Sequence, residues 1–200
     1  MASKGKKKVK QNKHGLNWIK QTLTLDENHG WQCPEGYQVF VAGRGAVRID
    51  VPQGWKLEPK EKSFRFVNAP EPNDDCALEV SFNLLPPELD LKDFPLAGIV
   101  KKLAREDSRD VISLGEVVKL KRQTAKIVWI ELKFMDHQEG DREAYSRICV
   151  GIGSGVQCLI TCEFWADEAE QFTPVWDHVL ESLVLGLFID DPRTGFARPD

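Results

Sequence analysis

From Tyr37 onward apolar and polar residues recur with a period of two, the pattern of strands that bury one face. Val39 and Val41 fall on one side and Gln38 and Phe40 on the other. Beyond Gly43-Arg44-Gly45, the segment Ala46 to Val51 sets Val47, Ile49 and Val51 together, which predicts a hairpin turned by the glycines. Pro52-Gln53-Gly54 breaks that strand and Trp55 and Leu57 follow. Phe64 and Phe66 mark a short strand over Ser63 to Val67, closed by Pro70 and Pro72. Ala77 to Leu85 is the clearest strand of the first half, because Leu78, Val80, Phe82 and Leu84 share a side and Pro86-Pro87 ends it.

The period then becomes helical. Leu96, Ile99, Val100 and Leu103 form one face of an amphipathic helix over Pro95 to Asp107, with Lys101, Lys102 and Arg105 toward solvent. Three strands follow, Leu114 to Arg122, Lys126 to Met135 and Glu143 to Gly151, and then a last one, Val156 to Trp165. Gly151-Ile152-Gly153-Ser154-Gly155 has the glycine spacing of a phosphate loop, but it joins two strands and opens no helix, so a dinucleotide fingerprint fails on context. Gly153-Ser154 fits the central positions of a type II′ hairpin, a register that places Cys149 across from Cys158. Cys158 and Cys162 lie roughly 13 Å apart by strand rise, too far to chelate one metal as a pair. For the closing helix, Thr173 as cap with Pro174 at the first helical position avoids an interior proline. The predicted helix runs from Pro174 to about Leu185, buries Val175, Trp176, Val179 and Leu183, and stops at Gly186.

Composition changes this picture mainly through charge. With 42% hydrophobic and 29% charged residues in a 200-residue chain, one globular domain is expected. Residues 1–20 hold seven lysines and no acid, so of the 27 basic residues 20 remain to face 31 acids, and the body carries −11. The expected organisation is a basic tail over 1–20, one α/β domain over 21–186 and a C-terminal loop segment over 187–200. The tail is either a solubilising segment or a contact for a polyanion, such as nucleic acid or an anionic membrane face. No run reaches the roughly 18 apolar residues of a membrane-spanning helix, and Met1 to Lys13 lacks the apolar core of an export signal. Five cysteines, odd in number and mostly within apolar stretches, suit buried thiols in a reducing compartment, so a cytoplasmic location is expected.

Chemistry-bearing residues do not gather. His14, His29, His137 and His178 are scattered, and the pair His29 and Cys33 lacks the second pair of a structural zinc site. Asp177, His178 and Ser182 could be drawn as a triad fragment, yet Asp177 and His178 point about 100° apart on a helix. Glu71, Asp74 and Asp75 make an acidic loop without the ligand spacing of a calcium site. No catalytic, cofactor-binding or metal residue is assigned, and no cofactor is expected. Trp55, Trp129 and Trp176 fit core positions. Trp18 and Trp31 do not, and either form a docking patch beside the tail or, for Trp31, pack over a sheet edge. Lys6, Lys7, Lys8, Trp18, Trp31 and Arg44 are the candidate partner contacts.

This order of elements resembles one fold family. A strand ends in Val51-Pro52-Gln53-Gly54-Trp55, a helix follows a proline-rich break, antiparallel strands succeed it, and a terminal helix carries Ser182-Leu183. Over Tyr37 to Gly186 this resembles the PsbP-like fold, shared by the PsbP proteins of photosystem II and a yeast Ran-release factor. The resemblance implies α+β architecture: an antiparallel sheet of six to seven strands between helices, an α/β/α sandwich. Apolar residues on both sides of Lys126 to Met135 agree with a sheet covered twice. The family consists mostly of accessory and assembly proteins without a shared catalytic set.

The functional expectation is a non-catalytic protein-binding or assembly protein, with the lysine tail able to hold it on the cytosolic side of a thylakoid. A second reading is a small-ligand protein or enzyme with a pocket between sheet and helix, using Arg44, Arg48, Asp74 and Arg147. A third, nucleic-acid binding through the tail, is opposed by the acidic body.

Overall fold

β-branched and aromatic residues at alternate positions build two antiparallel sheets in the computed structural model, which describes residues 24–89 and 94–197. The smaller sheet has the order β1-β2-β11, from Tyr37–Ala42, Val47–Pro52 and Val184–Leu185. The larger has eight strands: β3 (Lys56–Pro59), β4 (Phe64–Val67), β5 (Cys76–Leu84), β6 (Asp110–Leu114), β7 (Val118–Lys121), β8 (Lys126–Asp136), β9 (Arg142–Gly153) and β10 (Val156–Trp165). Its order is β3-β4-β5-β10-β9-β8-β6, with β7 also paired to β8.

Two helices cover opposite faces of the larger sheet, as the doubled apolar pattern of β8 requires. Helix α1 (Leu96–Arg105) sets Leu96, Val100 and Ala104 against Val128, Ile130, Leu132, Phe134, Ile148 and Val150. On the other face, helix α2 (Ala169–Ser182) and the small sheet enclose a second core. Phe172, Trp176, Val179 and Leu180 meet Ile127, Cys149, Ile160 and Phe164, with Val47, Ile49 and Val51 alongside. Each such side chain contributes about 1.5–3 kcal/mol relative to exposure. The result is α+β in three layers, with eight strands in the main sheet and the first hairpin joined by β11 in a separate small one.

Several local expectations are corrected. Of the stretch read as one strand from Leu114 to Arg122, only Val118–Lys121 forms β7; Leu114 ends β6, which begins earlier at Asp110, and in the break between them Gly115 N–H donates to Glu131 O at 2.8 Å. Helix α2 begins at Ala169, so Pro174 lies inside it. The early start carries Phe172 into the core at 2% exposure, against Trp55 and Phe164. Thr173 is not a cap; its hydroxyl accepts from Arg147 Nη2 at 3.0 Å. The β9–β10 turn centres on Ser154-Gly155, with φ of 47° and 71°, a type I′ geometry. Gly153 belongs to the strand, paired with Val156, and must be glycine because a Cβ there would lie 2.2 Å from Thr124 O. The register therefore sets Cys149 opposite Ile160 and Cys158 opposite Gly151. The sulfur contact that does form is Cys76 to Cys162, 3.8 Å between Sγ atoms across β5 and β10.

Candidate binding groove

Of the two edge strands of the small sheet, β1 is the longer and has no strand on its outer side among the described residues, and the hydrogen-bond directions show which groups it presents. In antiparallel strands the N–H and C=O of one residue point the same way and alternate along the chain. Asp50 N–H donates to Ser182 Oγ at 2.9 Å, and Ala46 O accepts from Gly186 N–H at 2.9 Å, so even residues of β2 face the β11 side. Odd residues face β1, where Val47, Ile49 and Val51 stand opposite Ala42, Phe40 and Gln38. The backbone groups of Tyr37, Val39 and Val41 consequently point outward. Those of Tyr37 are taken, its N–H by Pro34 O and its O by Gln53 Nε2 and Cys33 Sγ. Those of Val39 and Val41 meet no partner among the described residues.

The same alternation sends the side chains of Val39 and Val41 to the outer face, away from Phe40, which packs edge-on against Phe64 and Phe66. Over that outer face pass two terminal segments tied to each other. Asp26 N–H donates to Arg193 O at 3.1 Å, Gly30 N–H to Thr194 O at 2.6 Å, and Trp31 Nε1 to Pro192 O at 2.7 Å. Between sheet and segments runs a groove of about 800 Å³, lined by Leu25, Trp31, Tyr37, Val39, Val41 and Ile189, with His29, Cys33, Arg44 and Asp190 as its chemistry-bearing side chains.

Arg44 is presented by a left-handed turn. Gly43, Arg44 and Gly45 have φ of 59°, 53° and 93°, and a Cβ at Gly45 would lie 2.7 Å from Phe188 N. The turn accepts the C-terminal segment, Arg44 O from Ile189 N–H at 2.8 Å and Gly45 O from Leu187 N–H at 2.9 Å. The Arg44 guanidinium itself is exposed and makes no hydrogen bond or ion pair among the described residues.

Beside the groove a buried charged cluster fixes β2 to α2. Asp50, 2% exposed, lies 2.7 Å from Arg48 Nη2 and 3.1 Å from His178 Nε2. Arg48 also donates to Ser182 O and Gln32 O, at 3.0 and 2.7 Å. The Tyr37 ring stacks on His178 with centroids 4.1 Å apart, and burial, then the Asp50 charge, push its hydroxyl above the usual tyrosine range. Here His178 takes its carboxylate from Asp50, while Asp177 is exposed and Ser182 bonds to backbone. Among the described residues the imidazole bonds Asp50 and no nucleophile, the bonding of a structural network rather than of a triad.

The predicted contacts divide. Trp31 and Arg44 line the groove together, and Trp31 also packs against Gly195. Lys6, Lys7, Lys8 and Trp18 lie outside the described residues. The four polar candidates for a sheet-to-helix pocket do not converge. Arg48 is spent on Asp50, and Asp74 pairs with Arg65 at 3.8 Å. Arg147 is buried under α2, 2.7 Å from Glu131 and over the rings of Trp129 and Phe164. A cleft of about 370 Å³ does lie between the α1 start and β7–β8, but none of the four lines it. Among the described residues no cluster of three or more His, Cys, Asp or Glu is placed to hold a metal, and no helix is long and apolar enough to cross a membrane. Asp50 was missed in sequence because an acid in a strand reads as solvent-facing; its partners are 2 and 128 positions away.

Comparison with known proteins agrees with this architecture. The protein alr1449 of Nostoc sp. (strain PCC 7120 / SAG 25.82 / UTEX 2576) is 62% identical over 192 residues, covering 96% of this chain and all of that protein. The solution structure of cyanobacterial PsbP (CyanoP) from Synechocystis sp. PCC 6803 superposes with a TM-score of 0.55 at 14% identity, over 78% of this chain and 98% of that one. The Saccharomyces cerevisiae Ran-binding protein Mog1p aligns more loosely, with a TM-score of 0.46 at 10% identity over 75% and 95%. The PsbP-like fold is thus shared at low identity, and the Alr1449 family profile matches residues 38–189: the chain belongs to the Alr1449 family.

Proposed function

We propose that the chain is a non-catalytic accessory protein that binds another protein along the groove between the small sheet and the terminal segments. The observation that carries this reading is the apolar groove of about 800 Å³ bordered by the β1 edge and by Arg44, both without a partner among the described residues. An accessory role also fits a fold shared with CyanoP. The seven lysines of residues 1–20 would add a salt-reversible contact with an anionic membrane face, such as the cytosolic side of a thylakoid.

The test is capture from native lysate on immobilised full-length chain, with a Val39→Arg variant and a chain starting at Gln21 as comparisons. One protein, identified by mass spectrometry, should be held by the wild type and the shortened chain through a high-salt wash and lost by Val39→Arg. Equal capture by Val39→Arg would move the site off the groove. A second reading is supported by the groove volume, which lies in the range of small-molecule sites. It predicts a rise in Tm with apolar carboxylates that Arg44→Ala abolishes.

A further inference from the structure

We propose that the β1 edge takes an added strand: an extended segment of a partner protein, with apolar side chains at alternate positions and an aspartate or glutamate where it meets Arg44. This rests on reading the groove as a protein-binding surface and specifies the chemistry of what binds. Val39 and Val41 each offer an outward N–H and C=O two residues apart, the repeat that an incoming antiparallel or parallel strand matches. Tyr37–Ala42 itself holds no lysine, no proline and no register shift, three devices that commonly blunt an edge. The edges of the large sheet differ: β3 carries Lys56 and Pro59, and β6 carries a shift between Val111 and Ser113 against β8.

The pleat then sets specificity. Side chains of an added strand that point to the same face as Val39 and Val41 enter the groove against Trp31 and Ile189, while the alternate ones face away. Charge complementarity names the remaining feature. Arg44 stands at the end of the edge with its guanidinium unpaired among the described residues, whereas the neighbouring Arg48 is neutralised by Asp50.

The probe is a displayed library of random ten-residue peptides selected on the full-length chain, followed by synthetic versions of the enriched sequences. Enriched peptides should alternate apolar residues and carry an acid at one end. Val41→Pro removes an outward N–H and leaves the bonds of Phe40 and Ala42 to β2 in place, so it should weaken these peptides by about tenfold. Arg44→Glu should weaken them and shift selection toward peptides carrying lysine. Should Val41→Pro fail to fold, amide exchange in the wild type decides: peptide must slow exchange at Val39 and Val41. Peptides that bind both variants like the wild type, or that leave those two amides unprotected, overturn the proposal. A lysate partner held equally by Val41→Pro overturns strand addition and leaves protein binding standing, whereas no peptide and no partner overturn both.

Discussion

Replacing Asp50 by asparagine tests whether the buried cluster is what holds the small sheet to α2. The amide keeps the volume of the carboxylate but removes its charge from between Arg48 at 2.7 Å and His178 at 3.1 Å, at a position 2% exposed. Breaking a buried ion pair from one side costs about 3–5 kcal/mol, because the surviving charge is left uncompensated. Arg48 keeps its bonds to Ser182 O and Gln32 O, which places the expected loss toward the lower end, about 3 kcal/mol. For a chain of this size that corresponds to a fall in Tm of about 6–12 °C. Thermal and urea unfolding followed by circular dichroism and by tryptophan fluorescence give the loss, and coincidence of the two probes licenses a two-state treatment. A second readout is local. With the Asp50 charge gone, Tyr37 should titrate lower than in the wild type while staying above the ordinary tyrosine value, because burial is the larger cause of its shift. A Tm within about 2 °C of the wild type, well below the fall expected for an orphaned charge, would refute the reasoning.

Thiol chemistry should separate the cysteines sharply. Cys33 is exposed, whereas Cys76, Cys149, Cys158 and Cys162 are buried, and burial pushes the Cys158 thiol up to about 12 and raises Cys149 as well. Ellman's reagent at pH 8 should therefore titrate one thiol quickly and four only on unfolding, and Cys33→Ser should abolish the fast phase. Gly45→Ala should release the C-terminal segment, since it strains a φ of 93° and drives Cβ to 2.7 Å from Phe188 N; faster proteolysis after Gly186 reports it. His137 bonds first to Asp141 and then to Asp110, which raise its pKa above 6.5. Stability from this exposed contact is present below the unfolded value and lost as pH rises through the folded one, so an NMR titration should find His137 above 6.5 and His137→Ala should flatten that pH window.

Where period and punctuation were strong, the residues alone determined the elements. Leu78 and Val80 in β5, Ile130 and Leu132 in β8, and Leu96 and Val100 in α1 all appear in buried positions, because a side chain's face follows directly from the repeat of its own strand or helix. Local rules failed where a distant neighbour outweighed them. Pro174 argued for a late helix start, yet burial of Phe172 draws α2 back to Ala169. Gly153 looked like a turn residue until the Thr124 carbonyl claimed the space that a Cβ would fill. The candidate site was legible only in pieces. Arg44 and Trp31 stood out as a loop cation and a tryptophan without a core, but their meeting on one groove depends on residues 26–31 pairing with 192–194, far apart in sequence. Which strand would be left with unpaired backbone groups was likewise a matter of tertiary structure. Periodicity fixes which way a side chain points, whereas an edge exists only through the absence of a neighbour, and neighbours in a sheet are chosen by the packing of the whole chain.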